Sequence, residues 1–90
     1  MYTVYVLYSS LYDKIYIGYT SDLNARLLSH NELGKKGWTI KFRPWLLVYS
    51  EQCYDKARAL SREKELKGAK GREWIWSLIN DKISRGSYPP

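Results

Sequence analysis

The chain has 90 residues, which is enough for one domain and too few for two. Hydrophobic residues make up 44% of it, so a core can form without disulfides or structural metals. Cys53 is the single cysteine, which excludes an internal disulfide, and no cysteine and histidine cluster has zinc-ligand spacing. The sequence also lacks the long apolar run of a membrane span and the pattern of a signal peptide. These features predict a reduced, cytoplasmic setting.

The net charge is strongly basic. Fifteen lysine and arginine residues stand against nine acidic residues, a formal charge of +6. Such an excess attracts polyanions, and nucleic acid is the commonest of them. Soluble proteins without a nucleic-acid partner are also often charged, so the charge alone leaves both classes open.

The first half of the chain predicts a hairpin followed by a helix. Tyr2–Tyr8 is β-branched and aromatic on both faces, which is typical of a central strand. Residues 14–19 read as a second strand, and the short connection makes the pair antiparallel. A helix is expected from about Asp22 to Asn31, with Thr20, Ser21 and Asp22 as N-cap candidates, and a long basic loop from Glu32 to Arg43.

The second half predicts one more strand and two helices. Residues 45–50 form the strand, Asp55 caps a helix that Gly68 ends, and a last helix covers about 72–83. The order β-β-α-β-α-α predicts an α+β fold, a three-stranded antiparallel sheet with three packed helices. We expect one domain over residues 1–84 and a short disordered tail over residues 85–90.

Glu63 occupies a position that the helical pattern reserves for the core. Ala59, Leu60 and Leu66 surround it on the stripe that should face the sheet. An ionised carboxylate there needs a cation, strong donors or a metal. A structural salt bridge or a rim position that reaches water would also explain it.

Four further polar residues stand close to predicted apolar faces. Arg26 and His30 are four residues apart on the first helix and share a face beside its leucine stripe. Tyr5 and Tyr16 come from the two strands of the hairpin. Histidines beside apolar stripes are more often structural, and strand tyrosines usually serve packing. The residues alone therefore indicate a polar cluster on a basic domain and specify no reaction.

Two short motifs connect these residues to a known family. Thr3-Val4-Tyr5 and Tyr16-Ile17-Gly18 lie on the two hairpin strands, and Ala59 to Glu63 forms a third segment. With these motifs the sequence resembles the GIY-YIG nuclease family, and in particular its small single-domain members. The positions that agree in type, order and approximate spacing are Tyr5, Tyr16, Arg26, His30 and Glu63. Thr3 replaces a glycine of the first motif, and Asn80 matches the family's later asparagine poorly and is left out of the site.

The resemblance implies a metal-dependent endonuclease that hydrolyses phosphodiester bonds in DNA. Glu63 would bind the cation, Mg²⁺ or alternatively Mn²⁺, and Arg26 would stabilise charge on the phosphoryl oxygens. Tyr5, Tyr16 and His30 would share the orientation and deprotonation of the attacking water. If Tyr5 is the base, its pKa must be lowered, and the metal and Arg26 are the positive charges that would lower it.

The resemblance also suggests the substrate and its contacts. Branched, nicked or duplex DNA is expected, with weak sequence preference and a role in repair or recombination, while RNA stays open. The basic residues expected to bind nucleic acid are Lys35, Lys36, Lys41, Arg43, Lys67, Lys70 and Arg72. The alternatives are a catalytically inert nucleic-acid-binding module with the same fold, and an interaction domain that meets nucleic acid only weakly.

Overall fold

The sheet has the predicted central strand. A computed structural model describes residues 1–35 and 37–86. Its strands β1 (Tyr2–Ser9), β2 (Lys14–Thr20) and β3 (Leu46–Cys53) form one antiparallel sheet in the order β2-β1-β3. β1 is paired on both edges and covered on both faces, which explains why it has apolar residues on both sides.

Three α-helices accompany the sheet: α1 (Leu23–Leu28), α2 (Lys56–Lys67) and α3 (Ala69–Ser84). The order β-β-α-β-α-α and the α+β fold class are thus confirmed. α1 runs on into a π-helical turn, Ser29–Leu33, so the helical segment extends beyond the predicted end at Asn31. The segment predicted to be a basic loop contains a 3-10 helix, Trp38–Phe42. The sequence analysis did not predict this helix.

The helix ends follow the predicted capping residues. The Asp22 carboxylate accepts a hydrogen bond from the Ala25 amide at 3.1 Å, at the start of α1. Asp55 accepts one from the Arg58 amide at 2.9 Å, at the start of α2. Gly68 ends α2 as expected. These side chains satisfy amides that have no partner within the helix.

α3 begins at Ala69, earlier than predicted, and Gly71 shows why. A Cβ atom at Gly71 would collide with the backbone of Glu65 and Leu66. The glycine therefore lets the first turn of α3 pack directly on the end of α2. Glycine is unfavourable inside a helix, so the sequence alone does not indicate that Gly71 belongs to α3.

The two faces of the sheet bury different sets of residues. The larger core lies between the sheet and the helices α2 and α3, and its buried members are Val4, Val6, Tyr8, Ile17, Val48, Cys53, Ala59, Leu66, Ile75 and Ile79. The opposite face buries Tyr5, Leu7 and Trp45 against side chains of α1 and the 3-10 helix. Since successive strand residues alternate between faces, Tyr5 points away from the larger core and toward α1.

Some predictions fall outside the described residues. Lys36 lies outside them, and so do residues 87–90 of the expected tail, of which only Arg85 and Gly86 are described. The division into a domain and a disordered tail stays a prediction. Within the part of the chain that is described, no helix combines the length and the apolar character needed to span a membrane.

Candidate active site

The two motif tyrosines meet over a glycine. Tyr5 on β1 stands directly opposite Gly18 on β2, and its ring leans toward Tyr16 with the centroids 6.1 Å apart. A Cβ atom at Gly18 would lie 2.7 Å from the Tyr5 hydroxyl oxygen and 3.0 Å from a ring carbon of Tyr16. Glycine is therefore required because any side chain would occupy the space of the tyrosine rings.

His30 completes this group from the π-helical turn. Its ring is 7% exposed, and its Nε2 lies 2.9 Å from the Tyr5 hydroxyl oxygen. The Tyr16 and His30 ring centroids are 4.7 Å apart. The turn is closed by the Gly34 amide, which donates to the Ser29 carbonyl at 2.8 Å across the wider π spacing. Two strands and one turn thus bring three of the predicted residues into contact.

Arg43 holds that turn in place. Its Nε donates to the His30 carbonyl at 2.6 Å, and its Nη2 donates to the carbonyls of Ser29 at 3.1 Å and Gly34 at 2.6 Å. The Ser29 carbonyl also accepts from the Gly34 amide, whereas the carbonyls of His30 and Gly34 lie where the helical turn ends and gain their donor from Arg43. The guanidinium therefore has a structural task, while its predicted contact with nucleic acid stays a prediction.

Arg43→Met is expected to lower the free energy of unfolding by about 2–3 kcal/mol, because it leaves partly buried carbonyls without their charged donor. Arg43→Lys should recover little, since lysine cannot reproduce the planar fork. Urea denaturation measures the effect. Lys41→Met, at an exposed position of the 3-10 helix, is the control and should change stability by less than about 0.5 kcal/mol. Equal stability of Arg43→Met and this control would contradict the assignment.

A pocket of about 320 Å³ opens beside the tyrosine pair. Its wall is formed by Tyr2, Tyr5, Tyr16, Gly18, Tyr19, Thr20, Ser21, Arg26, Lys56 and Glu63. Tyr5, Tyr16, Arg26 and Glu63 therefore share one cavity, although they come from β1, β2, α1 and α2. His30 reaches the same place indirectly, through its contact with the Tyr5 hydroxyl.

Glu63 is mostly buried and has one partner among the described residues. Its side chain is 17% exposed, and Lys67 Nζ lies 3.2 Å from one carboxylate oxygen. The salt bridge that a structural role predicts is thus present, and the carboxylate also faces the pocket. Both features are compatible with binding of a cation.

The chemistry of this carboxylate is suitable for magnesium. Within residues 1–35 and 37–86, no three acidic, histidine or cysteine side chains gather as a complete metal cage. Mg²⁺ usually keeps several waters and takes only one or two carboxylates, so a site with a single glutamate fits it. Glu63 is the residue that would hold the ion.

The pKa values of Tyr5 and His30 both shift toward the neutral form. Burial raises the pKa of Tyr5 above its usual value, the nearby Tyr16 adds to this effect, and Arg26 opposes it. Arg26 thus lowers the pKa of Tyr5 as expected, but burial outweighs it and the net shift is upward; the lowering expected from a bound cation stays a prediction. Burial, Arg26 and Arg43 lower the pKa of His30, so its imidazole is neutral at pH 7 and can accept the Tyr5 O–H proton.

The predicted nucleic-acid contacts are spread around the molecule. Lys67 pairs with Glu63, which lines the pocket, and Arg72 donates to the Lys67 carbonyl at 3.1 Å. Lys70 instead borders a different depression beside Trp74. Lys35 and Lys41 are exposed.

The pocket wall also contains Lys56, which the sequence analysis did not select. It stands in the first turn of α2, where lysines are commonly solvated. The available signal was its spacing of two helical turns from Glu63, which places both residues on the same side of α2.

Comparison with known proteins identifies the family of this domain. Residues 1–76 match the family described as the GIY-YIG catalytic domain. A UPF0213 protein of Staphylococcus epidermidis is 43% identical over 53 residues, 59% of this chain and 65% of the relative. A UPF0213 protein of Staphylococcus haemolyticus is 38% identical over 55 residues, 61% and 67% of the two chains. For the first of these the match covers just under two thirds of its length. No solved structure shows significant similarity.

Proposed function

Because this chain belongs to the GIY-YIG family of nucleases, we propose that it is a divalent-metal-dependent DNA endonuclease with low intrinsic sequence specificity. The observation that supports this best is the shared pocket, where Arg26 and Glu63 face the two motif tyrosines. A structural salt bridge alone would not require an arginine from α1 and a glutamate from α2 to face the same cavity. Hydrolysis of a phosphodiester uses both kinds of charge.

The residues of the pocket support an in-line attack of water on phosphorus. Arg26 would donate hydrogen bonds to the phosphoryl oxygens as their negative charge grows. A cation at Glu63 would supply charge stabilisation for the phosphate and the leaving oxygen. The new bond joins the water oxygen to phosphorus, and the bond from phosphorus to the 3′ oxygen breaks.

Tyr5 and His30 form a path for the proton of the attacking water. The Tyr5 oxygen would accept a hydrogen bond from the water, and its own O–H would donate to Nε2 of the neutral His30. Transfer along this pair leaves the proton on the imidazole without requiring a stable phenolate. Tyr16, packed on both rings, would keep them in position.

The basic residues on the surface of the domain support DNA as the substrate. Lys35, Lys41, Lys67, Lys70 and Arg72 would bind phosphates without reading sequence. We assign the activity to branched, nicked or duplex DNA, structures that arise in repair and recombination, and to the cytoplasm.

Removal of the metal tests this proposal. Supercoiled plasmid and a branched oligonucleotide substrate are incubated with the protein in Mg²⁺, in excess EDTA, and after Mg²⁺ is restored. Cleavage is expected in Mg²⁺, should stop in EDTA, and should return on restoration. Cleavage that persists in EDTA would contradict the metal dependence. DNA binding without cleavage in Mg²⁺ or Mn²⁺ would favour an inert nucleic-acid-binding module with this fold.

A further inference from the structure

Lys56 and Glu63 lie along one side of α2. They are seven positions apart in the sequence, which is two helical turns, or about 10 Å, along the helix axis. Between them Ala59 is fully buried and holds this part of α2 against the sheet. Because both residues also line the pocket, the helix presents a cation and a carboxylate to the same cavity at a fixed separation.

Lys56 joins the pocket wall from the start of α2, close to the end of the sheet that carries Tyr2. The last residue of β3, Cys53, pairs with Tyr2 at the start of β1, and α2 begins shortly after it. Lys56 is thus close in the chain to the Tyr2 end of the pocket, where the rings of Tyr2 and Tyr19 are 6.2 Å apart. At the other end, the charges that act on the Tyr5 hydroxyl are those of Arg26 and Glu63.

The Lys56 ammonium has no acidic partner within residues 1–35 and 37–86. The ion pairs there involve Arg62, Lys67 and Arg85. The single acidic residue of the pocket wall is Glu63, which pairs with Lys67. Lys56 therefore adds positive charge that the fold does not neutralise, on a wall that already carries Arg26.

We propose that Lys56 binds a phosphate next to the scissile phosphate on the strand that is cut. It is then a substrate-positioning residue, and this assignment rests on the proposed nuclease function. A strand lying along the pocket presents successive phosphates at intervals along α2, which suits a cation and a carboxylate placed two helical turns apart on that helix. The flexible stem of lysine allows a point contact with either oxygen of the flanking phosphate.

Short oligothymidylates test the contact. The first probe is a trinucleotide with two phosphodiesters. The second probe carries a neutral methylphosphonate at the linkage next to the one that is cut. Wild-type protein should show a KM about tenfold higher for the neutralised probe, with kcat little changed, because one charge-assisted contact is lost. Lys56→Met should show the high KM for both probes, and Lys56→Arg should recover the difference. Lys64→Met is the matched control, since Lys64 is exposed on the same helix and is not part of the pocket wall.

DNA binding tests the contact between Lys56 and phosphate independently of cleavage. The affinity for a fluorescent DNA oligonucleotide is measured by anisotropy in EDTA over a range of salt concentrations. Lys56→Met should lower the slope of log affinity against log salt by about 0.7–0.9, the loss of one phosphate contact. Lys64→Met should change it less.

Three results would overturn the proposal: equal salt slopes for Lys56→Met and Lys64→Met, a KM difference between the probes that survives in Lys56→Met, or a loss in kcat with KM unchanged. The last would place Lys56 at the scissile phosphate. If the wild-type protein cuts neither the probes nor supercoiled or branched DNA in Mg²⁺, the proposed nuclease function fails, while the salt slopes still report whether Lys56 contacts phosphate.

Discussion

Glu63→Gln is expected to lower the rate of DNA cleavage about 100- to 1,000-fold, the range seen when a preorganised charge is removed from an active site. Glutamine has nearly the same shape, so the packing of α2 should be preserved. The lost ion pair with Lys67 is partly exposed and contributes little to stability. Single-turnover nicking of supercoiled DNA in saturating Mg²⁺ measures the effect, and thermal unfolding verifies the fold.

Glu65→Gln is the matched control for Glu63→Gln. Glu65 lies on the same helix, and its carboxylate pairs with Arg62 at 3.3 Å on the surface. This variant changes the net charge by the same amount, so its cleavage rate should stay within about twofold of wild type, as expected for a surface substitution away from the site. If Glu63→Gln cuts DNA as fast as Glu65→Gln, Glu63 is not the metal-binding residue.

Gly18→Ala is expected to reduce the free energy of unfolding by about 2 kcal/mol, within the usual range for overpacking. The added methyl group would lie 2.7 Å from the hydroxyl oxygen of Tyr5 and 2.9 Å from the ring carbon that bears it. Tyr5 is 1% exposed and hydrogen-bonded to His30, so its ring can move only by breaking that contact. Cleavage should fall more than about tenfold, because displacement of about 1 Å at a reacting group is costly.

A double-mutant cycle separates this clash from a general effect of alanine in a strand. Tyr5→Phe removes the oxygen that the methyl group would meet, so Gly18→Ala should cost less stability in the Tyr5→Phe background than in the wild type. Chemical denaturation of the four proteins gives the coupling energy. Additive losses would mean that the glycine serves some purpose other than the approach of Tyr5.

Local rules predicted the sheet and the starts of α1 and α2 well. β1 has apolar residues on both faces because it is central, and Asp22 and Asp55 cap the helices that follow them. The π-helical turn could not be predicted in this way. Its carbonyls are satisfied by Arg43, which is distant in the chain, so its geometry depends on tertiary contacts that a leucine stripe does not encode.

The sequence motifs predicted which side chains would lie together, but they did not predict the electrostatics of the pocket. Tyr5, Tyr16, Arg26 and Glu63 line one pocket and His30 contacts Tyr5, as the family resemblance implied. Their order in the sequence could not show that burial of Tyr5 outweighs the charge of Arg26. The catalytic roles of the five residues stay predictions. Lys56 belongs to no motif, and its relation to the pocket became visible only when the course of α2 was known.

The turn that carries His30 depends on segments that come later in the chain. Besides the Arg43 contacts, the Asn31 side chain accepts from the Trp45 amide at 2.6 Å and donates to the Trp45 carbonyl at 3.0 Å, which ties the turn to the residue just before β3. During synthesis the hairpin and α1 emerge before these partners, and Glu63 emerges later still. A nascent or truncated chain therefore lacks the complete pocket. The domain would become able to attack nucleic acid only once its tertiary structure is complete, so that an unfinished chain leaves the nucleic acid around it intact.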